Sequence, residues 1–247
     1  MFVYSGGYMN YVLVVCIISL MILLHELGHF LAARYCGIPI EAFSIGFGPA
    51  VWKKRIGGTE FRFSVIPVGG YILPAVGNED DFFRIPIYKR IIFSFGGPAA
   101  NLVTALALFG IINSIGTGFS LAGAFIQPFQ QTFSLVYKIA ASFSGLFTQH
   151  QNLSGIVGIL QQGGAFISAD YLKALQFAVI ISVNFAVFNL LPLPVLDGGK
   201  ILLCLIEKIN ARLTAYYAPI MIAGWVIIIG LMIYATVLDA ARLMAYA

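Results

Sequence analysis

Four stretches of this chain are apolar for about twenty residues each: Tyr11 to Ala33, Ile91 to Ile112, Ala174 to Leu193 and Leu213 to Val237. A bilayer core about 30 Å thick needs about 20 apolar residues of helix to cross it. The pattern therefore predicts four membrane spans, at 11–33, 91–112, 174–193 and 213–237. The last three carry no charged residue, whereas the first holds three ionisable ones, His25, Glu26 and His29. Between spans one and two the period changes. Thr59, Phe61, Phe63 and Val65 alternate with Glu60, Arg62 and Ser64, and Gly57-Gly58 precedes them. Alternation after a glycine pair predicts a β-hairpin, here over about 45–74. The connector 119–170 repeats Phe129, Phe133, Val136, Ala140, Phe143 and Phe147 at three- and four-residue spacing. That spacing predicts an amphipathic helix, either lying on the membrane surface or packed on the protein. The expected fold class is a mainly α, polytopic membrane protein with a small membrane-associated β-sheet, in a single domain.

Composition agrees. The chain is 60% hydrophobic and 10% charged, against about 25% charged for soluble domains. Eight of its 14 Lys and Arg lie between Arg34 and Arg90, and three more between Lys200 and Arg212. Concentration in two connectors on one side is the signature of membrane orientation. It places those connectors in the cytoplasm and both termini outside. No basic run interleaves with aromatics, so nucleic acid is not an expected partner. The acidic patch Glu79, Asp80 and Asp81 reads as a solvated loop. Cys16, Cys36 and Cys204 form no pairwise motif, and Cys16 reads as a packing residue. The opening MFVYSGGYMN has neither a basic region nor a small-residue cleavage site, so the first apolar run reads as a retained span.

The chemistry sits in span one. His25-Glu26-Leu27-Gly28-His29 is an HExxH sequence. Residues four apart share a helix face, so both imidazoles can reach one ion. Catalytic zinc takes three protein ligands and keeps a fourth position for water. Glu26, one step round the helix, suits a general base. Three ionisable groups within five residues of a span cost several kcal/mol unless a partner compensates them, and a divalent cation is such a partner. Cys16 and Cys36 lie too far along the helix to be the third ligand, and His150 falls on the opposite side. The best candidate is Asp197, in the run Asn189-Leu-Leu-Pro-Leu-Pro-Val-Leu-Asp197-Gly-Gly. Two prolines and a glycine pair break the helix there. Irregular backbone at membrane depth is tolerated only where protein or a wet cavity surrounds it.

HELGHFLAARYCGI, FSVIPVGGYILP, SFGGPAANL, NLSGIVGI and NLLPLPVLDGG occur here in that order. Together they resemble the site-2 protease family of intramembrane metalloproteases, and within it the bacterial regulator-of-sigma-E protease branch. The resemblance implies one Zn2+ held by His25, His29 and Asp197, with Glu26 as general acid/base. It implies that Asn189 binds the substrate backbone. It also implies that the hairpin containing Pro67, Gly69 and Gly70 offers a strand edge to the substrate. The implied substrate is a transmembrane segment of a single-span protein, such as an anti-sigma factor or a remnant signal peptide. The implied location is the bacterial inner membrane. Members of that branch usually carry PDZ domains between spans two and three, and this connector is too short for one. Two other classes remain: an ion or metal transporter using the intramembrane His and Asp, and a non-catalytic zinc scaffold. Few spans and no visible repeat weigh against the first. Only three candidate ligands weigh against the second.

Overall fold

The computed structural model describes residues 7–76, 83–143, 155–168 and 170–245. Four helices are long and apolar enough to cross a membrane: Tyr8–Cys36, Ile87–Thr117, Tyr171–Asn189 and Tyr217–Arg242. In chain order the elements are α1 (Gly7–Cys36), β1 (Ile40–Ile56), β2 (Thr59–Pro74), α2 (Ile87–Thr117), α3 (Gln127–Ser142), α4 (Ile156–Ile167), α5 (Tyr171–Asn189), α6 (Asp197–Ile209) and α7 (Tyr217–Ala245). A π-helical turn, Ala122–Ile126, leads into α3, and a 3-10 turn, Ala211–Tyr216, leads into α7.

The framework is the contact between α1 and α2. In a bilayer apolar side chains gain little by meeting one another, so helices associate through small residues that let backbones approach. Gly28 and Ala32 of α1 meet Gly96 and Ala100 of α2. A Cβ added to Gly28 would lie 2.3 Å from the Gly96 carbonyl oxygen, and one on Gly96 would lie 2.6 Å from Ala32 Cβ. Helix α5 packs on the other side of α2, where Ala105 meets Val179, Val183 and Val187, and Ser182 Oγ donates to the Asn101 carbonyl at 2.8 Å.

Helix α3 packs on the protein along one face. It begins beside the far end of α2, where Asn113 and Gln131 exchange amide hydrogen bonds of 3.0 and 3.2 Å. It then runs along the groove between α2 and α5. Leu135, Val136, Ile139 and Phe143 pack against the Val179–Val187 face, and the Phe143 ring ends 6.3 Å from that of Phe188. Phe129 and Phe133 point outward. The expected apolar stripe is therefore split between protein and surroundings, and Phe147 lies outside the described residues. The described part of the connector between α2 and α5 is mostly helical and contains no strand among those residues.

The sheet is built from β1 and β2 around the Gly57-Gly58 turn. Trp52, Lys53, Lys54, Arg55 and Ile56 pair antiparallel with Phe63, Arg62, Phe61, Glu60 and Thr59. Ala42 to Ile45 are paired twice, once with Glu60 to Phe63 and once with Leu73 back to Gly70. The start of β1 thus runs between two parts of β2. Phe30 of α1 holds the sheet against the helices, with ring centroids 5.5 Å from Phe43 and 5.7 Å from Phe61. On the exposed face Arg62 hydrogen-bonds Glu60, and this keeps the Glu60 carboxyl below the ordinary carboxylate range.

Candidate metal centre

Helix α5 stops at Asn189 because Pro192 and Pro194 disfavour helical backbone in the residues before them. Residues 190–196 fold back, and α6 starts at Asp197. Gly198 and Gly199 permit that fold. A Cβ on Gly198 would lie 2.2 Å from the Leu190 carbonyl oxygen, and one on Gly199 would lie 1.9 Å from that of Leu193. With no side chain at either position, the loop seats on the first turn of α6 and Asp197 is turned toward α1.

Three buried side chains then converge. Asp197 Oδ2 is 3.1 Å from His25 Nε2 and 3.1 Å from His29 Nε2, and the two Nε2 atoms are 3.1 Å apart. All three residues are buried. Tetrahedral ligands about 2.0–2.1 Å from zinc stand about 3.3–3.4 Å from one another, so this equilateral triangle has the size of one face of such a site. The fourth vertex is free of protein ligands among the described residues.

The proton inventory points the same way. His29 Nδ1 is 2.8 Å from the Phe93 carbonyl oxygen, which can only accept. The proton must sit on Nδ1, although the Gly97 N–H also lies 3.3 Å from that nitrogen. In the neutral imidazole Nε2 then presents a lone pair, and it faces the Asp197 carboxylate, a second acceptor. Two acceptors at 3.1 Å repel unless a proton or a metal ion lies between them, and the second imidazole at the same distance suits the metal ion. On the other imidazole, His25 Nδ1 is 3.1 Å from the Asn101 side-chain amide. Asn101 is fully buried, and its Oδ1 has no partner among the described residues. Exchanging the amide oxygen and nitrogen, which have the same shape, lets Oδ1 accept from Nδ1–H and frees the His25 Nε2 lone pair as well. Partners that fix the imidazole tautomer in this way accompany metal-binding histidines generally.

Gly97 supplies the space. A Cβ there would lie 2.4 Å from His29 Nε2 and 2.6 Å from His25 Nε2. The residue facing both Nε2 atoms is thus a glycine, which leaves space beside them that any side chain would fill. Donor set, triangle and cradle all fit a zinc ion.

Glu26 lies next in α1, and its Cγ is 3.1 Å from the position a Cβ on Gly70 would take. The sheet therefore approaches the triangle at Gly70. Gly69 has φ 96° and packs under the Phe47 ring. Pro67 lies in β2, and its side chain is outside the described residues. Asn189 donates to the Phe185 carbonyl at 3.0 Å, one residue before the carbonyl that abuts Gly198. Cys36 is buried beside Ile38 and Ile40, away from the cluster. Cys16, expected to pack, is exposed on α1: the core face of that helix is taken by Val14, Ile17 and Met21. His150 and the acidic patch at 79–81 are outside the described residues.

Sequence reasoning assigned no role to Asn101, Phe93 or Gly97. Asn101 carried one signal, an amide inside an otherwise uncharged span. A backbone carbonyl and a glycine carry none.

Comparison with known proteins places this geometry. Residues 13–233 match the family described as peptidase family M50. A protein of Campylobacter jejuni with the provisional name of a zinc metalloprotease is 26% identical over 340 residues, covering 93% of this chain and 92% of the relative. One of Clostridium perfringens, named likewise, is 26% identical over 321 residues, covering 90% and 95%. One of Chlamydia trachomatis is 39% identical over 119 residues, covering 41% of this chain and 19% of its own length. The two long alignments exceed this chain's 247 residues, so those relatives contain internal residues that this chain lacks.

Proposed function

Because the chain belongs to peptidase family M50, we propose that this integral membrane zinc metalloprotease cuts peptide bonds within transmembrane segments of single-span proteins. The observation that carries the reading is the triangle of His25, His29 and Asp197 at 3.1 Å, placed within the hydrophobic length of α1. In this reading those three residues hold the ion. Bound zinc supplies a Lewis acid that polarises a carbonyl and acidifies water. Glu26 accepts the proton of the attacking water and later delivers it to the leaving amine. Asn101 and the Phe93 carbonyl keep the two imidazoles turned inward throughout.

A substrate helix hides its carbonyls in its own hydrogen bonds and must unwind to be cut. Asn189 and the strand near Gly69 and Gly70 are proposed to hold the unwound backbone by strand addition. Residues 70–74 pair only with β1 among the described residues, which supports an open edge beside Glu26. Phe63, by contrast, pairs with both Trp52 and Ile45 and offers no open edge of its own. The bacterial relatives and the Lys/Arg distribution support an inner-membrane location with both termini outside the cytoplasm.

The test is cleavage. Purified protein in detergent is incubated with a single-span substrate, with and without chelator, and the product masses are read. A chelator-sensitive cut inside the span is expected. Ion flux in vesicles without any cut would place the protein among transporters instead.

A further inference from the structure

The two oxygens of Asp197 have different partners. Oδ2 faces both imidazoles at 3.1 Å, while Oδ1 lies 3.2 Å from Lys200 Nζ. Lys200 is three residues on, in the same first turn of α6. A cation in the first turn opposes the helix dipole, so the helix itself gives no reason for lysine there. Its side chain is 39% exposed, so packing does not force the ammonium onto the carboxylate either. The nearby cation Arg90 is engaged with Glu207, at 2.8 and 2.6 Å. Lys200 is left as the cation on Asp197.

We propose that Lys200 is a positioning residue that keeps Asp197 on the metal through one oxygen. This rests on the zinc site proposed above. A carboxylate free at both oxygens can ligate through both, and the second would take the vertex that a reacting molecule needs. An ammonium on Oδ1 prevents that. It also withdraws electron density from the ligand and repels a divalent cation a few ångströms away. Zinc is then held less tightly and acts as a stronger Lewis acid. Lys200 thus exchanges affinity for reactivity, and this gives its removal an unusual sign. Loss of a merely structural contact weakens metal binding and turnover together. Loss of Lys200 tightens metal binding while slowing turnover.

The experiment uses the full chain in detergent. Zinc affinity of wild type, Lys200→Met, Lys200→Gln and Lys200→Arg is measured by competition with a chromophoric chelator. kcat and KM are measured on the single-span substrate. Met and Gln variants are expected to bind zinc about tenfold more tightly and to lose about 10–100-fold in kcat, the range seen for residues supporting metal ligands, with KM unchanged. The Arg variant is expected to restore both values. Gln carries the test if Met does not fold. Unchanged or weaker zinc binding in the neutral variants overturns the proposal while wild-type cleavage leaves the protease reading intact. A wild type that neither binds zinc nor cleaves overturns both.

Discussion

Helices α1 and α7 have nearly the same hydropathy, 2.2 and 2.4 over their most apolar windows, yet the protein buries 22% of the first window and 6% of the second. Hydropathy placed both in the bilayer and says nothing about what each touches. Helix α1 carries Gly28 and Ala32 on one face and meets α2 backbone to backbone. The described contacts of α7 include the Tyr217 ring, 5.2 Å from that of Phe83 at the start of the helix, and two places further along. At one, Gly224 lies beside Pro194 and Val195, in the loop before Asp197. At the other, Asp239 Oδ2 accepts from the Gly158 N–H at 2.8 Å, at the start of α4. Small residues and buried polar groups, more than apolar content, decide which span becomes part of a site.

That contrast can be broken most sharply inside the α1–α2 seam. Glu26→Gln keeps size and helix but removes the proton acceptor. Cleavage is expected to fall by about 10²–10⁴-fold, the usual share of a general base, with zinc retained. Metal analysis and a gel assay on one preparation check this, and near-normal turnover with zinc bound would sink the role. Gly97→Ala drives a methyl group against the Nε2 atoms of both imidazoles. Stoichiometric zinc should be lost, visible by elemental analysis of folded protein. Asn101→Leu removes the partner of His25 Nδ1. Zinc affinity should weaken by about tenfold, at the lower end of such effects, and chelator competition reads it. On α7 the expectation reverses. Ile229 is half-exposed, and Ile229→Ala should change activity and stability by less than about twofold, as for substitutions away from packed features. A large loss there would mean that α7 is more closely engaged than its contacts suggest.

Much of the candidate site was legible because its residues follow simple geometry. His25 and His29 are four residues apart on a helix, and Asp197 sits where prolines and glycines must break one. What stayed hidden depends on tertiary contact. Asn101 looks like any small polar residue in a span until its amide meets an imidazole from another helix. The double pairing of Ala42 to Ile45 was invisible because alternation reveals the faces of a strand, not its neighbours. The stripe from Phe129 to Phe143 predicted a helix but left its setting open for a different reason. In a membrane, phenylalanine facing lipid and phenylalanine facing protein look alike in sequence, so the spacing could not tell Phe133 from Phe143.

His25 and Asp197 are separated by 172 residues, and His25 and Asn101 by only 76. Translation at about 5–20 residues per second turns those separations into waiting times. The first helix reaches the bilayer with two imidazoles and a carboxylate exposed to lipid, a state that costs several kcal/mol. The second arrives within several seconds and covers the outward nitrogens of both rings. The carboxylate that completes the triangle follows on the order of ten seconds later. Each newborn molecule therefore passes through an interval in which its histidines are sheltered but Asp197 does not yet exist. The candidate ligand set is thus complete only after Asp197 has been made, far along the chain.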